Sequence, residues 1–361
     1  MAILKKLYDD LDRQLDQKAE PHRIRWWHIV LLLALIAGTI YIIKNPSGAE
    51  SQANNTETKG GYLKCEGAVF GTFYHITYQY PTDQQDSIEA VLQEVDRSLS
   101  PFNKASVITA INEGTSDSTN LMFREVFTLA KTISAETYGA FDITVAPLVN
   151  TWGFGFKNKE TVNETLIADL LSHVGIDKVS LHDNRIVKTD PDLMLDCSAI
   201  AKGYGVDAVG RLLETKQIDN YMVEIGGEVR VRGKNPQGKP WSIGIITPTP
   251  DPTGQNNEVE EVLSITDIAM ATSGNYRNFY VEGNKRYAHT IDPRTGYPVQ
   301  HSILSSTVLA RDCAVADAYA TAFMVLGLDS AKTVLAAHPE LQAYFIYSDA
   351  DGNNATWDNL R

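Results

Sequence analysis

The segment LDCSAIAKGYGVD, residues 195–207, constrains the fold more than any other part of this sequence. It follows an apolar run that is typical of a buried strand, and it leads into a helix with one apolar face. Asp196, Ser198 and Lys202 stand between the two elements. A helix start offers free N–H groups and the positive end of the helix dipole. The order of residues therefore predicts a site for a phosphate-bearing ligand.

The same segment also has a purely structural interpretation. Asp196 or Ser198 would cap the helix, because short polar side chains commonly accept a hydrogen bond from the first helical turn. Lys202 would then be an ordinary solvated side chain. Both interpretations stay open on this segment alone.

Residues 26–43, WWHIVLLLALIAGTIYII, contain no Asp, Glu, Lys or Arg. A helix of this length reaches about 27 Å, close to a hydrocarbon core of about 30 Å. We therefore expect one membrane-spanning helix, with a cleaved signal peptide as the alternative. Arg23 and Arg25 precede the span and only Lys44 follows it closely. The positive-inside rule then places residues 1–25 in the cytoplasm and the rest of the chain outside.

The remainder divides into a linker and one large domain. Residues 44–61 are rich in Ser, Asn, Thr and Gly and predict a flexible linker. Residues 62–361 are enough for a sizeable core. The net charge of −13 argues against a nucleic-acid-binding surface and against binding to anionic lipid. The three cysteines, Cys65, Cys197 and Cys313, are too few and too scattered for a disulfide framework.

Hydrophobic periodicity predicts strands and helices in alternation after residue 62. The predicted helices, besides the one that follows the opening segment, cover residues 87–99, 122–137, 314–325 and 331–337. The predicted strands cover residues 74–80, 221–231, 241–246, 262–271, 278–281, 306–310, 344–347 and 354–357. A turn at residues 235–238 is expected to join two of the strands. Because several strands follow one another through hairpins, we predict an α+β fold with mixed or antiparallel sheets.

Asp317 and Thr321 stand four residues apart in the Ala-rich predicted helix 314–325. Residues at this spacing share a helix face, so a carboxylate and a hydroxyl lie side by side. Such oxygen donors suit a hard cation such as Mg²⁺, which takes further ligands from water and from substrate phosphate. The alternative is a buried Ala-rich helix in which Asp317 caps the first turn.

His289 opens the segment HTIDPRTG, residues 289–296. The stretch from Asp292 to Gly296 is ordinary turn chemistry and needs no functional explanation. As a neutral imidazole, His289 could take a proton from a nucleophile. A structural histidine is the alternative.

Three further segments combine small residues with polar or aromatic side chains. In GAFDIT, residues 139–144, Phe141 can stack on a planar ring and Asp142 can accept from a ring N–H or a hydroxyl. Glycines in the motif Gly-Gly-Glu, residues 226–228, suggest a bulge or a close approach of a ligand to the strand. The segment ATSGNYR, residues 271–277, holds a phosphate or forms a plain loop.

Seven segments follow one another in the order found in the ApbE family, the FAD:protein FMN transferases, which this chain resembles over nearly all of residues 66–350. They are GTFYHITY (71–78), GAFDITVAPLVNTWGFG (139–155), LDCSAIAKGYGVD (195–207), VEIGGEVRVRG (223–233), ATSGNYRN (271–278), HTIDPRTGYPV (289–299) and ADAYATAFMVLG (316–327). The resemblance implies an ApbE-like α+β fold whose sheets and helices form two lobes around an FAD cleft, behind the membrane-spanning helix.

The resemblance also implies an activity. Members of the family split the diphosphate of FAD with Mg²⁺, transfer FMN to a Thr or Ser hydroxyl of a target protein, and release AMP. Their targets are subunits of membrane redox pumps and related flavoproteins outside the cytoplasm. We therefore expect an acceptor of that kind and a bacterial inner-membrane location, with the catalytic domain on the periplasmic side and no nucleic-acid partner.

The family pattern can be carried onto single residues. It implies metal ligands at Asp317, at Thr321 and at the backbone carbonyl of Ala199. It implies that His289 is the base for the acceptor hydroxyl and that Lys202 supplies a positive charge beside the phosphates. The residues with an implied FAD contact are Phe70, Phe102, Ala140, Phe141, Asp142, Asp196, Lys202 and Ile291.

The sequence departs from the family pattern at two positions. Phe70 stands where Met usually precedes Gly-Thr, and Cys197 stands where a small or apolar residue is usual. Two other activities stay open beside transfer. One is an FAD pyrophosphatase that passes FMN to water and gives free FMN and AMP. The other is a protein that only binds flavin.

Overall fold

A computed structural model describes residues 60–157, 162–248, 258–275, 279–282 and 285–361. Within these ranges, no helix combines the length and the apolar character needed to cross a membrane. The predicted leader, the predicted anchor at residues 26–43 and the linker up to residue 59 lie outside the described residues. They stay predictions.

The strands of the described residues form one large antiparallel sheet and three two-stranded ribbons. Their bounds are Tyr62–Val69 (β1), Thr72–Gln79 (β2), Val179–His182 (β3), Arg185–Lys188 (β4), Tyr221–Ile225 (β5), Glu228–Arg232 (β6), Trp241–Ile246 (β7), Val259–Ile265 (β8), Ile268–Gly274 (β9), Phe279–Glu282 (β10), Lys285–Ala288 (β11), Ile303–Ala310 (β12), Gln342–Ser348 (β13) and Asn354–Asp358 (β14). The large sheet has the order β1-β2-β5-β6-β9-β12-β13-β14, and every neighbouring pair in it is antiparallel. The ribbons pair β3 with β4, β7 with β8, and β10 with β11. This confirms the predicted α+β class with antiparallel sheets.

The helices lie between these strands in the sequence. Their bounds are Gln85–Leu99 (α1), Val107–Asn112 (α2), Leu121–Glu136 (α3), Ala146–Thr151 (α4), Glu164–Ser172 (α5), Ala201–Thr215 (α6), Cys313–Leu326 (α7) and Leu328–Ala337 (α8), with a 3₁₀ turn at Ile176–Lys178. Each helix predicted from periodicity is present, and the start of α6 lies within the segment 195–207. Short elements without a full amphipathic repeat, such as α2 and α4, were not predicted.

Helix α1 shows how periodicity becomes packing. Its buried residues Ile88, Leu92, Val95 and Leu99 recur every three or four positions, so they form one apolar face. This helix packs against α6, which in turn lies on β5 and β6. Each of these side chains stabilises the fold by about 1.5–3 kcal/mol when it leaves water.

Helix α7 is apolar on nearly all sides, as expected of a helix enclosed by other elements. It lies on β9 and β12 and also contacts α6. Its alanines carry only a methyl group, so the neighbouring helix and sheet approach its backbone closely. The single acid of this helix, Asp317, is 2% exposed. The fold therefore places this carboxylate in the interior.

Two of the predicted strands are each divided into two strands in the structure. Residues 221–231 are not one strand, because Gly226 (φ +61°) and Gly227 (φ +105°) turn the chain between β5 and β6. Residues 262–271 are also divided, at Asp267 (φ +53°), and the two halves belong to different sheets. The predicted turn at residues 235–238 does form and joins β6 to β7 along the chain, although within the described residues β7 pairs with β8 and not with β6. Apolar alternation continues through both divided segments, so periodicity alone does not detect the turns within them.

The two lobes around a cleft stay a prediction. The described residues belong to one compact unit. The physical reason lies in the middle of the large sheet, where β6 pairs with β9 and α7 contacts β6, β9 and β12. These contacts join the two halves of the sheet into one body.

Candidate active site

A cavity of about 400 Å³ lies where several elements end. Its wall includes the start of α6, the turn between β5 and β6, the end of β9 and one face of α7. The predicted site residues that line it are Phe102, Ala140, Phe141, Asp142, Asp196, Ala199, Lys202, His289, Ile291, Asp317 and Thr321. The fold thus brings Phe102 and Thr321, which are 219 positions apart in the sequence, into the wall of the same cavity.

Phe70 is the exception, and the structure does not place it in this cavity. It stands at φ +52° in the turn between β1 and β2 and lines a different cavity, beside α1. Its ring packs against α6 at Gly205, where an added Cβ would lie 2.7 Å from the Phe70 Cε2 atom. The turn directs the Phe70 ring toward α6, so the position of this ring does not support the predicted contact between Phe70 and FAD.

Helices α6 and α7 meet at the first turn of α6. The Gly203 N–H donates a hydrogen bond to Oδ2 of Asp317 at 3.0 Å. The approach is so close that a Cβ at Gly203 would lie 2.4 Å from the Cys313 carbonyl oxygen. Because the first N–H groups of a helix lack intrahelical partners, this donor is free to serve the carboxylate. Asp317 therefore does not cap its own helix, as one interpretation of the sequence proposed.

The N-terminus of α7 is capped from α6 instead. Asp207 accepts hydrogen bonds from the backbone N–H groups of Cys313 and Ala314, both at 2.9 Å. Oδ1 of Asp207 also lies 2.7 Å from the Nη1 atom of the Arg230 guanidinium. Burial raises the pKa of Asp207, and the two N–H groups and Arg230 oppose that shift. Asp207 and Gly203 together fix the position of α7 relative to α6.

One side of the cavity carries oxygen donors. Asp317 and Thr321 lie one turn apart on α7, and the Thr321 hydroxyl is 3.0 Å from the Ser273 hydroxyl. Ala199, in the turn before α6, lines the same cavity. A carboxylate, a hydroxyl and a backbone carbonyl are the donor types that hard cations prefer. The residues present therefore fit the predicted Mg²⁺ site.

Lys202 is under the charge of two buried carboxylates, Glu228 and Asp317. Its Nζ atom is 3.1 Å from Oε1 of Glu228, a residue that is 4% exposed. Burial lowers the pKa of Lys202, but the negative charges of Asp317 and Glu228 outweigh it, and the net shift is upward. Lys202 thus stays an ammonium. The pKa values of Glu228 and Asp317 are both raised, first by burial, with the charge of Lys202 opposing the shift.

Two further acids in the wall are engaged in local structure. Asp142 accepts from the N–H and hydroxyl of Thr144 with Oδ1, and from the Ile176 N–H with Oδ2. Asp196 accepts from the N–H and hydroxyl of Ser198 with Oδ1. Burial raises the pKa of both acids, and these donors oppose the shift. Their contacts with FAD stay predictions.

Aromatic side chains and His289 form another part of the wall. The Phe154 ring meets the His289 ring edge to face, with 6.3 Å between the ring centres. Phe102 makes a similar contact with Phe156 at 6.2 Å, and it remains 67% exposed. A planar ring entering the cavity would therefore find apolar faces near the imidazole.

Two site residues were not predicted as such. Glu228 was noted only as the end of the Gly-Gly-Glu motif, and Ser273 only as part of residues 271–277. The available signal was an acid directly after two glycines that turn the chain. Its meeting with Lys202 depends on strand pairing between distant segments, which the local sequence does not reveal.

Known proteins resemble this chain over most of its length. The profile of the ApbE family matches residues 70–345. A protein of Haemophilus influenzae named FAD:protein FMN transferase is 39% identical over 335 residues, which cover 88% of this chain and 94% of that protein. The solved structure of the flavin transferase ApbE from Vibrio cholerae is similar with a TM-score of 0.74 at 35% identity, covering 82% of this chain and 96% of that chain.

A second solved structure agrees with the first. The Pseudomonas stutzeri flavinyl transferase ApbE, in its apo form, is similar with a TM-score of 0.74 at 29% identity. It covers 83% of this chain and 95% of that chain. The similarity therefore extends over the described domain as a whole and is not limited to the cavity.

Proposed function

The chain belongs to the ApbE family, and we propose that it transfers the FMN half of FAD to a hydroxyl of an acceptor protein. Its relatives carry the name FAD:protein FMN transferase. The observation that best supports the proposal is the meeting of Lys202, Asp317, Thr321 and His289 in the wall of one cavity. A pure flavin-binding site would not require this set of charged and titratable groups.

The proposed reaction is a displacement at phosphorus. The acceptor hydroxyl oxygen forms a new ester bond to the phosphorus of the FMN half. The bond from that phosphorus to the bridging oxygen of the diphosphate breaks, and AMP leaves with the electron pair. The proton of the acceptor hydroxyl goes to His289, which acts as general base. Thr or Ser serves as the acceptor residue.

The charges in the wall support a requirement for a cation. The lining residues include four acids, Asp142, Asp196, Glu228 and Asp317, against one lysine, Lys202. A diphosphate brings further negative charge into this surrounding. Asp317, Thr321 and the carbonyl of Ala199 would hold Mg²⁺, which neutralises phosphate oxygens and stabilises the charge on the leaving group. Lys202 adds a second positive charge beside the phosphates.

The binding of FAD is assigned to the rest of the wall. Phe102 and Phe141 offer apolar faces to the flavin, while Asp142, Asp196 and the segment around Ile291 contact its polar groups. For the acceptor we propose a membrane redox-pump subunit or another flavoprotein outside the cytoplasm. The predicted anchor at residues 26–43 would hold the domain at the outer side of the inner membrane, beside such acceptors.

The substitution Asp317→Asn tests the metal assignment. We expect loss of FMN transfer to an acceptor protein incubated with FAD and Mg²⁺, because an amide replaces the negative donor oxygen, while FAD binding weakens less than turnover. Asp351→Asn, at an exposed turn, is the matched control and should transfer normally. Transfer at the unmodified rate by Asp317→Asn would exclude the assignment.

The products separate the rival activities. Transfer leaves FMN covalently on the acceptor and releases AMP. A pyrophosphatase gives free FMN and AMP with an unmodified acceptor, and a binding protein gives no AMP. Mass spectrometry of the acceptor together with chromatography of the nucleotides distinguishes the three.

A further inference from the structure

Glu228 is a buried acid with an unusual arrangement of partners. It begins β6, directly after the turn at Gly226 and Gly227, and is 4% exposed. Its Oε1 atom lies 3.1 Å from Nζ of Lys202. Its Oε2 atom has no hydrogen-bond partner among the described residues. One oxygen is thus engaged and the other is not.

This arrangement does not favour stability. Taking a carboxylate and an ammonium out of water costs several kcal/mol per ion, and the cost is offset only when the remaining oxygens and protons find partners. Because Oε2 of Glu228 is buried without a partner, part of this desolvation free energy is not offset. Neutral side chains of similar size at both members of the pair would fold at least as well. The acid therefore needs an explanation other than packing.

The position of Lys202 supplies the explanation. Its ammonium interacts with two buried carboxylates, Glu228 and Asp317. Glu228 is the one in salt-bridge contact with Nζ, whereas Oδ2 of Asp317 accepts the Gly203 N–H. Without Glu228, Asp317 would be the remaining carboxylate of the pair for the Lys202 ammonium, whose side chain is partly exposed. Lys202 would then occupy the place where a cation must bind.

We propose that Glu228 is a positioning residue, which holds the Lys202 ammonium away from Asp317 and so keeps that carboxylate open for a divalent cation. The inference rests on the proposed metal site. It assigns Glu228 no contact with the cation itself. Its effect passes through Lys202, and this distinguishes it from a ligand and from a residue that only supports the fold.

The proposal predicts a pattern across four proteins. Glu228→Gln should raise the dissociation constant for a divalent cation at least about tenfold, the size typical of residues that orient metal ligands. Lys202→Met should not weaken cation binding, because it removes the competing ammonium. In the Lys202→Met background, adding Glu228→Gln should change the dissociation constant little, since no ammonium remains to be held. Such non-additivity is the signature of two residues that act as a unit.

The experiment titrates the full chain in detergent with Mn²⁺ and follows free Mn²⁺ by electron paramagnetic resonance, without nucleotide. Thermal unfolding of each variant is measured in parallel. Weaker Mn²⁺ binding by Glu228→Gln at an unchanged melting temperature supports positioning. Unchanged Mn²⁺ binding by that variant overturns the proposal. So does a further large loss when Glu228→Gln is added to Lys202→Met, because Glu228 would then act on the cation directly.

Two arms keep the test decisive. If Glu228→Gln alone does not fold, a large further loss of Mn²⁺ binding in the double variant, relative to Lys202→Met, still overturns the proposal. Asp317→Asn tests the underlying metal site on its own. Normal Mn²⁺ binding by Asp317→Asn, or no saturable binding by the unmodified chain, rejects that site. Loss of binding in Asp317→Asn together with normal binding in Glu228→Gln rejects only the role of Glu228.

Discussion

Gly203→Ala should strongly destabilise the protein, although alanine is the better helix former. In an exposed helix the same change stabilises by about 1 kcal/mol. Here the new Cβ would lie 2.4 Å from the carbonyl oxygen of Cys313, 2.7 Å from its carbonyl carbon and 2.8 Å from Cβ of Asp317. Two of these atoms belong to the backbone of α7, so no side-chain rotation relieves the clash. The helices must separate.

The magnitude follows from two losses. Overpacking of a close contact costs about 1–3 kcal/mol. Separation of the helices also breaks the hydrogen bond from Gly203 to the Asp317 carboxylate, and a bond to a charged group contributes about 1.5–3 kcal/mol. Together the change should cost about 2.5–6 kcal/mol, a large share of the roughly 5–15 kcal/mol that stabilises a typical domain.

Urea unfolding of the purified protein measures this cost directly. Gly205→Ala is the matched control, because its Cβ would clash only with the edge of the Phe70 ring, at 2.7 Å, and that side chain can shift. We expect a smaller loss there, which Phe70→Leu should recover. A Gly203→Ala protein as stable as the unmodified one would show that α6 and α7 are not in this close contact.

Two further predictions concern residues outside the cavity. Asn112→Ala leaves two backbone groups unpaired, the N–H and C=O of Leu195, which now bond to the Asn112 amide at 2.7 and 2.8 Å. We expect this to lower the free energy of unfolding by about 1–3 kcal/mol for each group. Chemical denaturation measures the loss, and unchanged stability would contradict the role of this amide. Asp190→Asn should destabilise at neutral pH, because a hydrogen bond from His173 at 2.8 Å holds the pKa of Asp190 below its ordinary value of 3.8. A depressed acid pKa contributes stability above the unfolded value that is lost as the pH falls through the folded value. The gap between the stability of the variant and that of the unmodified protein should therefore close as the pH falls below 3.8, and a gap that persists at lower pH would contradict this.

Local spacing predicted much of the site. The spacing of Asp317 and Thr321 predicts a shared helix face whatever surrounds the helix, and the structure places both in the cavity wall. The segment 195–207 likewise predicts the start of a helix, and Lys202 lies in the first turn of that helix. In both cases the signal lies within a few residues, so helical periodicity was enough, although neither Asp196 nor Ser198 caps α6, which begins after Ile200 without a side-chain cap.

Other parts of the site depend on contacts between distant segments. Glu228 contacts Lys202 because the chain reverses direction between β5 and β6 at Gly226 and Gly227. The alternation of apolar residues continues through this turn and did not predict it. Phe70 was expected in the cavity from its position in the motif, but the backbone of its turn directs the ring toward α6. Such orientations are set by tertiary packing, which outweighs local pattern.

The central claim is that this cavity passes the FMN half of FAD to a protein hydroxyl. Its most direct test is the mass of a purified acceptor after incubation with the full chain, FAD and Mg²⁺, followed by fragmentation to locate the added group. The account predicts one FMN joined through its phosphate to a Thr or Ser side chain, with an equal amount of AMP released. An acceptor of unchanged mass, in a mixture where FAD has been consumed, would contradict it.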